Sequence, residues 1–417
     1  MKIKQLIGNN STVVKNFSYL TVMQLFTLLS PLITYPYLLR VIGRELYGSI
    51  VFAQTIITYI NIFINFGFNL SGTQIISLNR NNPEYISEAV SNIYTSKFLF
   101  WLTSIIIYFS VVSFIHIPSE SKLLYYISFF LTLNDLMLPI WYYQGVEKMK
   151  YITFLNIGVR ILFMALIFVF VKDQSDFLLV PFFHSIGAIC AGIASLYIIF
   201  KVERVKYQRP TLGSLKKYIV GSFPLFITSV SQSIYVNINK LVVGIVLGMS
   251  ELAIYDFGEK ITTFLKVPVN MIYQATFPKI SRERSIIYVN RLMGLSVAII
   301  TFIYALIFVM APYIVYLFWG EIIQQAVTIL RIIPAGAVFC CISTFLSGNR
   351  LMAWGFKKEY MLVAISSSII YIILLFVFLM FGLLDIYMLA FLAVIGEIIT
   401  ITIGLFVNIR KKLIFNR

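Results

Sequence analysis

The stretch Tyr255–Lys266, YDFGEKITTFLK, places Asp256, Glu259, Lys260 and Lys266 inside a run, 252–278, that otherwise has the composition of a membrane span. A charged side chain at the bilayer centre costs several kcal/mol unless it faces protein or water. Carboxylates there could hold a coupling cation. Lysines could hold a phosphate or another anion, and nearby amides could bind sugar hydroxyls. Asp256 and Lys260, spaced i, i+4, also fit a structural ion pair.

The polar pattern occurs twice. Gln54, Thr58, Asn61, Asn65 and Asn69 in the run 46–70, advanced by 205, become Glu259, Thr263, Lys266, Asn270 and Gln274. At 100° per residue the second set, with Asp256 and Lys260, covers an arc of roughly 120°. The same offset lays Val41-Ile-Gly43 on Val246-Leu-Gly248, and later an offset near 210 lays Gln144–Lys148 on Trp354–Lys358. A weaker match carries Gln24, Thr27 and Thr34 onto Ser229, Gln232 and Asn239. The simplest geometry is a water-filled cavity between two related halves, where these groups escape desolvation. Arg160 and Arg331 join the candidates that line it, Asp256 and Glu259 the candidates for ion coupling. Amide stripes also glue helices together without touching a substrate. Asp135, Glu397 and Lys240 divide evenly between function and pairing, and His184 reads as a packed histidine.

Positioning such a face takes long helices. The 417 residues are 59% hydrophobic and 12% charged, where a soluble domain carries about a quarter charged residues. The apolar residues form about twelve runs, from 16–38 to 385–409, which predicts an all-α integral membrane protein and not a barrel. The polar start, MKIKQLIGNN, does not read as a cleavable signal. Lysine and arginine are lopsided: twenty-four on the N-terminal side of the membrane, counting Lys97 and Arg350 with the connections, against four opposite. Both termini are therefore expected in the cytoplasm. The basic link 201–217 would tether an N-lobe, 1–205, to a C-lobe, 206–417, each of six spans. Pro31, Pro36, Pro224, Pro268 and Pro334 could let spans bend. Trp141-Tyr-Tyr143 and the aromatics from Tyr313 to Trp319 read as interfacial belts.

Other chemistries are poorly served. The net charge of +16 is dispersed over short loops, which argues against nucleic acid. Cys190, Cys340, Cys341, His116 and His184 have no metal spacing, no cofactor motif is present, and no GxxxxGK[ST] loop exists for ATP.

The segments SYLTVMQLFTLLSPLITYPYLLRVIGRELYGSIVFAQT, NINKLVVGIVLGMSELAIYDFGEKI and WYYQGVEKMKYI make the chain resemble the polysaccharide repeat-unit (O-antigen, Wzx-type) flippases of the MOP transporter superfamily. The resemblance covers nearly the whole chain. It implies a MATE-like fold of two six-helix lobes in a V around a central cavity with a cationic lining. The substrate would be an undecaprenyl-diphosphate-linked oligosaccharide, moved by alternating access across the bacterial cytoplasmic membrane and driven by an ion gradient or the membrane potential. Partners would be that glycolipid, the bilayer, and the polymerase and chain-length machinery. Cavity roles would fall on Lys266, Lys260, Asn61, Asn65, Asn270 and Gln274. A multidrug or cation antiporter of the same superfamily is the nearest alternative, and the lysine-bearing stripe argues against it. A lipid II flippase would carry two further spans. A polysaccharide polymerase or ligase enzyme would need a large external loop, and a scaffold would not need matched charges within the membrane.

Overall fold

The computed structural model describes residues 11–114 and 121–414, except the side chains of 11–17, 20, 232, 234–236, 274, 275 and 278. His116 and the side chains of Gln232 and Gln274 therefore lie outside the described residues. Among those described the protein is entirely helical, as expected where lipid leaves backbone groups no other partner. Ten segments are long and apolar enough to cross a membrane. Two further helices, Leu212–Val242 and Met249–Glu283, have 31 and 35 residues, ample length for a span, but are more polar.

In chain order the helices are α1 (Ser11–Ile42), α2 (Arg44–Asn65), α3 (Phe68–Leu78), α4 (Pro83–Phe114), α5 (Lys122–Phe129), α6 (Thr132–Met137), α7 (Ile140–Gly145) and α8 (Met149–Phe170). Then come α9 (Leu179–Tyr197), α10 (Leu212–Val242), α11 (Met249–Glu283), α12 (Ile286–Trp319), α13 (Gln324–Ile332), α14 (Ala335–Ser343), α15 (Lys357–Met380) and α16 (Ile386–Arg410). Wider π turns extend α9, α10 and α14 at their C-terminal ends.

The chain divides into two compact units, Met1–Gly43 with Ala53–Val230, and Arg44–Phe52 with Ser231–Arg417. The link after residue 201 stays with the first unit. It is no loose tether: Ser87 and Ser91 of α4 accept hydrogen bonds from the backbone N–H groups of Lys206 (3.2 Å) and Gln208 (2.8 Å). One turn further, Thr95 meets the Tyr207 hydroxyl at 3.0 Å. Two rungs of this i, i+4, i+8 ladder, Ser87 and Ser91, satisfy backbone that has no helix of its own, and the third, Thr95, holds a side chain.

The first unit is centred on aromatic side chains. Trp141, Tyr142 and Tyr143 are buried with Phe66, Phe68 and Ile93, so this trio packs a core and is not the interfacial belt expected from sequence. Small residues bring the helices close. A Cβ on Gly145 would sit 2.6 Å from Ile76 of α3, and one on Gly187 2.8 Å from Val159 of α8. In the second unit, Gly48 lies so close to the Met249 carbonyl that a Cβ would approach it to 1.8 Å.

Backbone geometry carries the internal repeat. Gly43 (φ 78°, ψ 166°) precedes α2 and Gly248 (φ 104°, ψ 171°) precedes α11, a pair matched by the 205-residue offset. Only glycine adopts such angles without strain. The turns that close α7 and the π turn after α14 also correspond. Each has a left-handed residue, Glu147 or Gly355, followed by an N–H that reaches back five residues, Lys148 to Tyr143 and Phe356 to Leu351. The halves differ in continuity. The span 46–70 breaks at Phe66–Gly67, both left-handed, whereas α11 runs unbroken. The expected span 122–143 is three short helices, and the expected span 324–346 breaks near Pro334, at the N-cap of α14.

Candidate functional site

In the second unit the charges of α11 are largely balanced by neighbours. Lys240 of α10 lies between Asp256 Oδ1 (3.0 Å) and Glu259 Oε2 (2.7 Å). Lys260 pairs with the other oxygen of Asp256 and donates to the Tyr47 hydroxyl at 2.9 Å. One and a half turns on, Lys266 meets Glu397 of α16 at 2.9 Å, and Ser343 donates to the second carboxylate oxygen at 3.3 Å. Asp256, 3% exposed, accepts from both lysines, which is how a carboxylate stays ionised away from water. Three ammonium groups face three carboxylates. The charged face within the second unit is therefore mixed and close to neutral. A cavity of about 100 Å³ opens beside Lys266, Glu259, Thr263, Asn239, Tyr371 and Glu397. Tyr371 donates to Asn239 Oδ1 at 2.5 Å, and Asn239 donates to the Tyr255 hydroxyl at 2.8 Å.

The first unit holds a larger cavity of about 200 Å³ between α2, α6, α8 and α9. Gln54 and Asn61 enter it from α2, Asn134 and Asp135 from α6, Asn156 and Arg160 from α8, and His184 from α9. The spacings 54/61 and 156/160 each put two side chains on one helix face. Behind the wall lies a buried cluster. Lys97 of α4, 1% exposed, donates to Asn65 Oδ1 at 2.9 Å and to the Asp135 carbonyl, while Asn65 donates to Asp135 Oδ1 at 2.7 Å. Asn61 Oδ1, Arg160 Nε and His184 Nδ1 are buried and have no hydrogen-bond partner among the described residues. The His184 ring stacks on Phe163 at 4.5 Å.

Of the residues singled out from sequence, Gln54, Asn61 and Arg160 share this cavity and Asn65 braces it, while Glu259 and Lys266 share the other. Asp256 and Lys260 form the adjoining ion-pair network. Asn69 stands on α3, past the Phe66–Gly67 break, and Gln24 and Asn270 are exposed. Arg331 turns away from both cavities, donating to the Phe308 carbonyl at 3.3 Å with its guanidinium 5.0 Å from that ring. Sequence reasoning missed Lys97 and Arg350, which it placed in connections. Both are buried: α4 begins at Pro83, and the π turn after α14 carries Arg350, 2% exposed, to Asn290. It also left out Asn134 and Asn156, although Asn156 lies one turn before Arg160.

The sequence matches the family described as polysaccharide biosynthesis protein over residues 13–284. A protein of Escherichia coli (strain K12) named as a candidate O-antigen transporter is 27% identical over 379 residues, 88% of this chain and 90% of that protein. A protein of the same description from Shigella dysenteriae is 24% identical, covering 87% of this chain and 92% of the relative. Among solved structures, the lipid II flippase MurJ in an inward closed conformation is similar with a TM-score of 0.72 at 18% identity, covering 93% of this chain and 87% of that one. A multidrug resistance MATE family transporter of the MOP superfamily, inward-facing, gives 0.69 at 16% identity, covering 92% and 94%. At these identities the structural likeness speaks to the fold alone: an all-helical arrangement like that of these two transporters.

Proposed function

The chain belongs to the polysaccharide biosynthesis protein family, and from that premise we propose that it is a flippase for lipid-linked oligosaccharide repeat units. The substrate is an undecaprenyl-diphosphate-linked glycan, carried across the cytoplasmic membrane by alternating access, with both chain termini in the cytoplasm. The supporting observation is that ionic and amide side chains gather around cavities inside otherwise apolar helical units, in a chain aligned over nearly its full length with named O-antigen transporters. Amides supply donors and acceptors for a glycan, and cations compensate a diphosphate that cannot cross hydrocarbon unaided. Asp256 and Glu259, both held by Lys240, are the proposed coupling pair.

Complementation tests the reading. In a strain lacking its own repeat-unit flippase, expression should restore surface polysaccharide and clear the lipid-linked intermediate from the inner leaflet. Raised resistance to cationic dyes, with no change in surface glycan, would refute it.

A further inference from the structure

The 200 Å³ cavity of the first unit is lined by three polar side chains, from three helices, each with a buried polar atom that has no hydrogen-bond partner among the described residues. These atoms are Asn61 Oδ1, Arg160 Nε and His184 Nδ1, and Arg160 has no carboxylate within 4 Å among the described residues. Leaving a buried donor or acceptor unmet costs about 1–3 kcal/mol, and more for a charged group. The ionic groups of the second unit are, by contrast, largely spent on one another.

Resting on the flippase reading, we infer that this cavity is a recognition subsite for one oxyanion-bearing unit of the glycolipid headgroup. Arg160 binds the oxyanion, as a planar guanidinium pairs with a carboxylate or phosphate through two parallel N–H groups. His184 can donate to the same oxyanion through a protonated Nδ1, while Asn61 Oδ1, an acceptor, meets a neighbouring hydroxyl together with Gln54, Asn134 and Asn156. The volume suits a single group: it equals the share of about seven water molecules. Asp135 shapes the selectivity. One of its oxygens is taken by Asn65, and Lys97, which donates to its backbone carbonyl, offsets its charge and leaves the wall open to an anion. The oxyanion has two sources, the carboxylate of an acidic sugar or the diphosphate at the reducing end. Both present the same chemistry to Arg160.

The full chain, purified in detergent and reconstituted in nanodiscs, is titrated calorimetrically with glucuronate, inorganic pyrophosphate and glucose. At least one anion should bind, with glucose at least about tenfold weaker. Binding by glucuronate alone assigns the subsite to an acidic sugar, and binding by pyrophosphate alone assigns it to the diphosphate. Arg160→Gln should weaken the bound anion about tenfold or more, Arg160→Lys less, and Arg331→Gln not at all. Should Arg160→Gln fail to fold, His184→Phe carries the test, weakening the same anion several-fold. Equal binding of glucose and the anions, no anion binding, or anion binding untouched by these substitutions would overturn the inference. Flipping by the wild-type protein, measured separately, keeps the two readings apart. Intact flipping without anion binding removes only the subsite, whereas absent flipping removes the function on which it rests.

Discussion

Lys266 and Glu397 show what a single charge does in a span. Neither is the other's neighbour in sequence, yet they meet at 2.9 Å across α11 and α16. Lys266→Ala leaves Glu397 buried and uncompensated. That should cost up to about 3 kcal/mol, the low end for breaking a buried pair, because the Lys266 side chain is 31% exposed. The double variant Lys266→Met/Glu397→Gln should recover most of the thermal stability in detergent, since no lone charge remains. It should not recover transport if the pair also serves the substrate. Unequal losses are expected at Asp256 and Glu259. Asp256→Asn removes two ion pairs, to Lys240 and Lys260, whereas Glu259→Gln removes one and leaves Lys240 held by Asp256, so the first should lower the unfolding midpoint more. Equal shifts in a thermal melt would contradict the network as drawn. The charged stripe on α11 was legible in sequence because Asp256, Glu259 and Lys260, spaced i, i+3 and i+4, lie on one helix face. Its partners Lys240 and Glu397 were visible as candidates but could not be assigned, because helix packing, not spacing, decides which charges meet.

Helices gave up their existence readily and their breaks poorly. Apolar runs reveal a span, whereas the break at Phe66–Gly67 depends on contacts with α10, where a Cβ on Gly67 would lie 2.8 Å from both the Ser222 carbonyl and the Phe226 N–H. Phe66 adopts a left-handed angle that no local rule predicts for a bulky residue. Lys97 went astray for a related reason: a charge beside an apolar run looks like a loop edge until a tertiary partner is known. Glycines offer a sharp test at this scale. Gly48→Ala should prevent normal folding, because the new methyl would meet the Met249 backbone. Gly221→Ala, on α10 with open space around it, should be neutral or stabilise by up to about 1 kcal/mol. The ladder that holds the link onto α4 can be read by hydrogen exchange. Ser87→Ala/Ser91→Ala should speed exchange at the Lys206 and Gln208 amides while core helices stay protected. Unchanged exchange at those two amides would mean that the hydroxyls do not hold the link.

For the whole molecule, sequence and structure agree on an all-helical membrane protein with a duplicated plan, and the family match agrees with the resemblance. The repeat was legible through Gly43 and Gly248, whose shared positive φ is a backbone requirement written directly as a residue type. Charge distribution was legible only in part. The orientation expected from the basic connections in the sequence is tested by a reporter fused at either terminus, which should read as cytoplasmic. The balance of charge within the units was hidden, because it depends on which carboxylates meet which lysines.

The claim beneath all of this is that the buried ionic and amide groups serve the passage of a lipid-linked glycan. Purified protein in liposomes, given a fluorescent undecaprenyl-diphosphate oligosaccharide, tests it most directly through the fraction of headgroup reached by a membrane-impermeant enzyme outside. Wild type should expose inner-leaflet substrate far faster than protein-free liposomes, and faster still with an ion gradient imposed. Correctly folded Arg160→Gln should fall towards the protein-free rate. Exposure no faster than in protein-free liposomes, with and without the gradient, would contradict the account.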